Sequence, residues 1–300
     1  MIFQIIRFFL ISSFIIAQDL TPEEIFSYVA SHPKPETSIT EIKLEITRKK
    51  KRKIKTKIRE FTRYEKLYNG GKFKSKSLAR FHKPKIVKGT GFLSWVYANG
   101  KTDQWFSLPK IKKAKKVKAK EKSKAFLNTD FTYEDLENRD VGSDSLMNIG
   151  NEYYDGVQCK IIMAWPKDVS SYFSRKIWVN VRTWQIQKVE YYKNESEKEK
   201  TLILTDFIES NGFRTAGKMI MDRGDGNKTV MQITSFKPEM GLNEEIFSAS
   251  CMKKPRSSWY FLYFLFFSLS KFCNWFISSS TSSYFSESLS GSRSKNFDSC

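Results

Sequence analysis

The sequence predicts a mainly β protein of the α+β class, built on an antiparallel sheet that curls. About ten segments between residues 42 and 236 alternate apolar and polar side chains with the two-residue period of half-buried strands. The links between them are short and contain Asp, Asn, Gly or Lys, which favours consecutive strands in meander order. With 40% hydrophobic and 28% charged residues among 300, a collagen-like or wholly disordered chain is excluded.

Residues 1–17 have the pattern of a secretory signal peptide. Arg7 supplies a positive charge, residues 8–16 are uncharged, and Ala17 is a small residue suited to the position before cleavage. This run is too short for a membrane span, which takes roughly 20 residues. A buried N-terminal strand or helix is the alternative. We therefore expect an exported protein, and one without its own lipid anchor because no Cys follows Ala17.

A short amphipathic helix is predicted next, over residues 21–32. Thr21 is suited to cap it, and Pro22 fits the first helical position. Ile25, Phe26 and Val29 then share one face by their spacing, so the helix needs an apolar surface to cover.

The strands follow this helix. They are predicted at residues 42–46, 54–58, 77–81, 89–97, 105–108, 156–165, 177–181, 187–192, 201–207, 218–221 and 229–236. Asn99-Gly100 lies between two β-prone runs and is the strongest local signal of a hairpin, because both residues of such a turn need positive φ. Residues 223–227 (RGDGN) predict a turn between two strands that carry Met. The edges of such a sheet require closure or a covering helix.

The last 50 residues, 251–300, differ from the rest in being rich in Ser and Phe. The uncharged run at residues 257–270 is shorter than a membrane span. Three interpretations compete: a membrane anchor, an interfacial segment, or a tail translated out of frame. We favour the last, because three of the four cysteines lie here and the serine tracts have no periodicity. Only Cys159 lies in the body, so no disulfide framework supports it.

The net charge of +20 is concentrated in one region. Residues 41–125 hold 29 basic and 6 acidic side chains, including the lysine-rich residues 110–124. Such a region attracts nucleic acid, anionic lipid headgroups or an acidic protein. Export argues against nucleic acid. A solvated charged face and attraction to anionic headgroups both remain open.

The sequence contains no catalytic constellation. His32 and His82 are 50 residues apart, no Cys or His cluster has metal-ligand spacing, and neither a nucleophile elbow nor a phosphate loop is present. We therefore expect no enzyme, no metal and no cofactor. Asp130 and Asp135 are a candidate carboxylate pair, but a turn held by bonds from side chain to backbone is the interpretation we favour.

Several strands have one apolar face. Ile177, Val179 and Val181 alternate with polar or aromatic neighbours. Met219, Met221, Met231 and Ile233 do the same on later strands. The pattern alone favours an ordinary core. Flexible Met side chains also suit a surface that accommodates varied acyl chains.

Three segments together resemble the outer-membrane lipoprotein-sorting proteins, relatives of the LolA-type periplasmic carriers. They are residues 80–93 (RFHKPKIVKGTGFL), 103–113 (DQWFSLPKIKK) and 124–136 (KAFLNTDFTYEDL). The resemblance covers residues 18 to about 250 and stops before the tail. The residues matching the family motifs, taken as structural, are Gly89, Gly91, Trp105, Pro109, Asp130, Phe131, Tyr133 and Asp135. The chain departs from the family in carrying lysines at 110–124, where relatives carry arginines, and Asn128-Thr129, where relatives carry glycine and serine.

The resemblance implies an unclosed, strongly curved antiparallel β half-barrel with a helical lid. Proteins of this type are non-enzymatic, chaperone-like carriers. They take acyl chains of lipoproteins or lipids through the periplasm, from an inner-membrane exporter to an outer-membrane acceptor. We expect a monomer without nucleic acid. The residues expected to line its lipid cavity are Ile25, Phe26, Val29, Leu93, Trp95, Ile177, Val179, Val181, Met219, Met221, Met231 and Ile233.

Two alternatives from other classes remain. One is a membrane-surface module that binds anionic lipid through the basic region 41–125, with the tail as an anchor. The other is an exported hydrolase that uses Asp130 or Asp135.

Overall fold

The structure is a computed structural model, and it describes residues 20–110, 114–137 and 141–253. The predicted signal peptide and the tail beyond residue 253 lie outside the described residues. Cys251 and Met252, which the sequence assigned to the tail, are buried in the body. The body therefore extends slightly past the predicted boundary at residue 250.

Within the described residues, thirteen strands form one antiparallel sheet. The strands are β1 (Thr37–Lys50), β2 (Lys53–Leu67), β3 (Phe73–Lys83), β4 (Gly91–Tyr97), β5 (Thr102–Ser107), β6 (Lys115–Lys116), β7 (Asp144–Tyr154), β8 (Val157–Pro166), β9 (Ser174–Asn180), β10 (Ile186–Tyr192), β11 (Lys198–Ser210), β12 (Phe213–Asp222) and β13 (Lys228–Pro238). Their order across the sheet is β6-β5-β4-β3-β2-β1-β13-β12-β11-β10-β9-β8-β7.

The order makes two meanders joined at a central seam. β1 pairs with β13, from Ser38 opposite Pro238 to Thr47 opposite Lys228. β6 and β7 are the two edges and do not pair with each other. The predicted fold, a curved and unclosed antiparallel half-barrel, is confirmed. The described residues between the two edge strands, 117–137 and 141–143, are called the edge connection below.

One face of the sheet carries the main core. We call the side bearing Leu44, Val179 and Met221 the inner face and the opposite side the outer face. The alternation predicted from the sequence places apolar side chains there because successive strand residues point to opposite faces. The buried inner-face strand residues are Ile42, Leu44, Ile46, Phe61, Ala79, Phe81, Phe92, Ile162, Ala164, Ile177, Val179, Val189, Tyr191, Met221 and Met231.

Helix α1 (Pro22–Ala30) lies against this inner-face core. Thr21 Oγ1 accepts a hydrogen bond from the Glu24 backbone N–H, and Glu24 accepts one in return from the Thr21 N–H, which forms a capping box. Pro22 occupies the first turn, as predicted. Ile25 is completely buried in the core, and Phe26 and Val29 pack against it partly buried.

A second core lies on the outer face of β1–β5, where residues 239–253, the C-terminal segment, cross the sheet. Ile246, Phe247 and Met252 of this segment pack there. The strand residues buried with them are Ile39, Tyr64, Leu78 and Leu93. Gly91 lets the segment approach, since a Cβ at this position would lie 2.8 Å from the Met252 carbonyl oxygen.

The predicted hairpin at Asn99-Gly100 joins β4 to β5. Of these two residues, however, only Gly100 has positive φ, because the turn is longer than two residues. The Tyr97 N–H donates a hydrogen bond to the Lys101 carbonyl and closes the turn. Asn99 instead accepts a hydrogen bond from the Lys101 N–H. The predicted turn at 223–227 also joins two strands, β12 and β13. The sequence did not predict β6 or β7.

Candidate functional site

The inner face brings together most of the predicted lipid-cavity residues. They belong to one apolar cluster, as fully or partly buried members: Ile25, Phe26, Val29, Ile177, Val179, Met219, Met221, Met231 and Ile233. Met219 and Ile233 are only partly buried, so part of this face stays accessible beside the core.

The other three predicted residues lie elsewhere. Leu93 and Trp95 point to the outer face, where Leu93 is fully buried and Trp95 donates a hydrogen bond to the Phe247 carbonyl. On β4 it is Phe92 that faces inward. This corrects the predicted face of β4. Val181 follows the end of β9 and belongs to none of the three apolar clusters of the described residues.

The motif residues also fall into two groups. Gly89, with φ of 86°, precedes β4, Gly91 starts it, Trp105 packs in the outer core, and Pro109 is exposed after β5. The other four lie in the edge connection over the inner face: Asp130, Phe131, Tyr133 and Asp135.

Aromatic side chains of the edge connection fill the inner face. Phe126, Phe131 and Tyr133 are each at most 8% exposed. The Phe126 ring lies 4.8 Å from the Phe92 ring and 5.6 Å from the Tyr133 ring, centroid to centroid. Burial raises the pKa of Tyr133 above its ordinary value, so its hydroxyl stays protonated. The connection is therefore part of the core.

A buried ion pair fixes the edge connection to β11. Lys200 Nζ donates to Asp135 Oδ2, and both side chains are only 1% exposed. Lys200 also donates to the Asp130 carbonyl at 3.1 Å and lies over the rings of Tyr172 and Tyr191 at 5.1 and 5.3 Å. The Tyr172 hydroxyl donates to Asp135 Oδ1 at 2.8 Å. Every charged atom here has a partner, as a buried charge requires.

Asp130 makes a second anchor, to β1 and β13. Arg48 Nη1 and the Thr229 hydroxyl donate to Asp130 Oδ2 at 2.8 and 2.6 Å. The Asp130 N–H donates back to Thr229 Oγ1 at 3.0 Å. Two strained residues precede it, Leu127 and Asn128, with positive φ of 47° and 59°.

Arginines of the β1–β2 hairpin hold these strained residues in place. Arg59 donates to the Leu127 carbonyl and Arg48 to the Asn128 carbonyl, both at 2.6 Å. Burial and the nearby Arg48 charge lower the pKa of Arg59 from its ordinary value.

Glu134 makes a third anchor, to the β8–β9 loop. It accepts hydrogen bonds from the Ser170 hydroxyl and from the Ser171 N–H, the latter at 2.8 Å, and lies 4.0 Å from Arg175. Burial acts to raise the pKa of Glu134, but these hydrogen bonds and the Arg175 charge outweigh it, so the pKa is lowered.

Helix α1 is held much more weakly than the edge connection. Ile25 is its one fully buried residue, and Tyr28 stacks on Trp184 with ring centroids 4.7 Å apart while remaining 44% exposed. Among the described contacts, one hydrogen bond ties its entry to the sheet, from Asn148 to the Leu20 carbonyl at 3.4 Å. The inner face thus has one cover that buried ion pairs and hydrogen bonds fix, the edge connection, and one that is held mainly by apolar contacts, helix α1.

The candidate carboxylates have structural partners. Asp135 accepts from the Thr132 N–H at 2.6 Å, and its own N–H donates to the Thr132 hydroxyl, which is the turn that the sequence favoured. Among residues 20–110, 114–137 and 141–253, no three His, Cys, Asp or Glu side chains are grouped to hold a metal ion. Both Asp130 and Asp135 are committed to holding the edge connection.

Sequence reasoning missed the cations that fix the connection. Lys200 follows Lys198 and Glu199, so its neighbourhood has the composition of a solvated strand end. Arg48 lies in a run of basic residues and looks equally exposed. The only available signal was the pair of aspartates in a predicted turn, whose charges call for cations wherever they are buried.

This architecture, an unclosed antiparallel sheet with a covered apolar inner face, is the fold of the LolA-like proteins. The chain is similar to a domain of an outer membrane lipoprotein-sorting protein from Vibrio parahaemolyticus, at 24% identity and a TM-score of 0.71, over 77% of this chain and 97% of that one. It is also similar to a DUF1329 family protein from Desulfovibrio piger, at 25% identity and a TM-score of 0.70, over 76% and 96% of the two chains. A LolA superfamily protein from Nitrosomonas europaea matches at 18% identity and a TM-score of 0.59, over 77% and 99%.

The chain belongs to the family whose model matches residues 74–254 and is described as "Uncharacterized protein". No curated protein sequence matches the chain. The resemblance to the lipoprotein-sorting proteins, predicted from three segments, is confirmed for the fold. Of the helices in the described part of the chain, none has the length and apolar character to cross a membrane.

Proposed function

We propose that the protein is a non-enzymatic carrier that binds acyl chains of lipoproteins or lipids between helix α1 and the inner face of the sheet. It receives them from an inner-membrane exporter and delivers them through the periplasm to an outer-membrane acceptor, acting as a monomer. The observation that carries the proposal is the apolar inner face, to which strands from both meanders contribute, under a helix that few contacts hold.

The energetics of exchange favour an acyl chain over α1. Burying one methylene group stabilises a complex by about 0.8 kcal/mol, so a chain of about 16 carbons gains roughly 10 kcal/mol or more. Complete burial of one Ile such as Ile25 contributes only about 1.5–3 kcal/mol. Phe26 and Val29 add less because they are partly exposed. Acyl chains can therefore displace the helix, and a partner that competes for the same face can release them.

The edge connection has a different role in this proposal. Its three anchors at Asp130, Glu134 and Asp135 keep it on the sheet while α1 moves. Acyl chains then occupy the part of the inner face beside Met219 and Ile233, which the connection leaves partly exposed. Apolar contacts without fixed polar partners give little selectivity for chain length.

Native mass spectrometry tests the proposal. The full chain is produced with its own N-terminal sequence and purified from the exported fraction without detergent. We expect extra mass that chloroform extraction removes as acyl lipid, and a one-to-one complex after incubation with a triacylated lipopeptide. An unchanged protein mass in both experiments would overturn the carrier proposal.

Two neighbouring residues of β12 supply a matched pair of variants. Met219 faces inward and Ile220 faces outward, and both are partly buried. Met219→Asp places a charge on the proposed acyl surface, so lipopeptide binding should fall at least about a hundredfold, whereas Ile220→Asp should bind within about threefold of the wild type. Circular dichroism confirms that both variants fold. Equal binding by the two variants contradicts the inner-face site.

A further inference from the structure

The β1–β2 hairpin projects beyond its neighbouring strands. Within the described residues, β13 pairs with β1 only as far as Thr47, and β3 pairs with β2 only from Glu60 onward. β1 and β2 continue to pair with each other up to Lys50 opposite Lys53, around a turn in which Lys51 has a φ of 54°. The hairpin therefore extends about 20 Å past β3, at about 3.3 Å per residue.

The end of this hairpin is exposed and strongly basic. All ten residues from 49 to 58, called the basic tip below, are exposed. Seven of them are Lys or Arg and none is acidic. In the part of the chain that the structure describes, no carboxylate forms an ion pair with any of these seven cations. The basic tip therefore presents an unneutralised positive charge.

Two large apolar side chains lie among these cations. Ile54 is 68% exposed and Ile58 is 47% exposed. The in-register pairing with β1 places them with Thr56 on the outer face of the hairpin, while Lys53, Lys55 and Lys57 point to the other face. Neither isoleucine belongs to an apolar cluster of the described residues, so both side chains are free to contact an apolar layer outside the molecule.

We propose that the basic tip docks the protein on an anionic lipid bilayer, with Ile54 and Ile58 entering the interfacial layer and the surrounding cations binding headgroups. Cations alone would equally suit any polyanion. The two isoleucines favour a bilayer, because a lipid interface accepts apolar side chains next to its charged groups. This proposal is independent of the carrier proposal, since its test uses no lipopeptide and substitutes none of the acyl-site residues of β12 and β13.

Sedimentation of the full chain with vesicles tests the proposal. Vesicles of phosphatidylcholine with about 30% phosphatidylglycerol present an anionic surface. They should bind the wild type, and binding should weaken as the salt concentration rises. Each Lys or Arg near such a surface increases binding roughly fivefold. The triple variant Lys50→Gln, Arg52→Gln, Lys53→Gln should therefore bind about a hundredfold more weakly.

Two further variants make the test specific. A triple variant of three exposed cations elsewhere, Lys34→Gln, Arg214→Gln and Lys237→Gln, removes the same charge and should bind within about threefold of the wild type. The double variant Ile54→Asn, Ile58→Asn keeps every charge and should bind at least about tenfold more weakly. Equal losses in the two triple variants would overturn docking by the tip. An unaffected isoleucine variant would overturn insertion and leave a contact that any polyanion could make.

Discussion

Replacing Lys200 by Met tests the anchoring of the edge connection. The substitution removes one partner of an ion pair whose two side chains are 1% exposed, so Asp135 stays buried without its cation. Breaking a buried pair in this way costs about 3–5 kcal/mol. Asp135 keeps its hydrogen bonds from Tyr172 and Thr132, and Met packs well against rings, so we expect the lower end, about 3 kcal/mol.

The assay is unfolding by guanidinium chloride, followed through tryptophan fluorescence. For a domain of this size, a loss of about 3 kcal/mol corresponds to a fall in Tm of about 6–12 °C. Lys198→Met is the matched control: it lies two residues away on the same strand, and its pair with Glu190 leaves the lysine side chain 49% exposed. The control should lose less than about 1 kcal/mol.

A double variant separates loss of the pair from simple loss of packing. Lys200→Met combined with Asp135→Asn removes both charges, so it should be more stable than Lys200→Met alone. If Lys200→Met lies within about 1 kcal/mol of Lys198→Met, or if the double variant is the least stable of the three, the ion pair does not hold the edge connection.

Three further predictions concern pH, packing and the helix. Because the pKa of Glu134 is lowered in the folded protein, its carboxylate stabilises the fold at pH above the ordinary pKa of 4.5, and this contribution is lost as the pH falls through the folded pKa. The wild type should therefore lose more unfolding free energy than Glu134→Gln on acidification. Gly91→Ala should cost about 1–3 kcal/mol in denaturant unfolding because its methyl group meets Met252, whereas Gly142→Ala, with open space around it, should be neutral. Thr21→Ala should weaken the start of α1 by about 1 kcal/mol, which amide hydrogen exchange detects as faster exchange in that helix alone.

Local chemistry predicted the helix well. Thr21 and Pro22 are signals that act within one turn, and α1 starts where they place it. The same holds for the hairpin at Asn99-Gly100, although the type of turn differed. β7 was missed because it is an edge strand, and its large apolar residues Met147 and Ile149 are exposed. Its sequence therefore lacks the alternation of buried apolar and exposed polar residues that predicts a strand. β6 is only two lysines long, and its pairing with β5 comes from tertiary structure.

The candidate site was predicted only in part, for two physical reasons. β4 is covered on both faces, by the edge connection and by the C-terminal segment, so its apolar residues do not reveal which side is inner. This is why Leu93 and Trp95 were assigned to the cavity in place of Phe92. Lys200 was missed because its partner Asp135 is 65 residues away in the chain, and a periodic pattern carries no information at that range.

The seam between β1 and β13 has a consequence for how the chain is made. All the remaining strand pairings of the described sheet join strands that are consecutive in sequence. β1 can pair with β13, its second partner, only after residues 228–238 have been synthesised. At a synthesis rate of about 5–20 residues per second, the edge of β1 waits about 10–40 s for that partner. During this interval its backbone N–H and C=O groups are open to strands of other chains. Newly made chains should therefore aggregate through β1 unless a holding factor covers that edge, and the charges of Lys43 and Glu45 along it oppose such pairing.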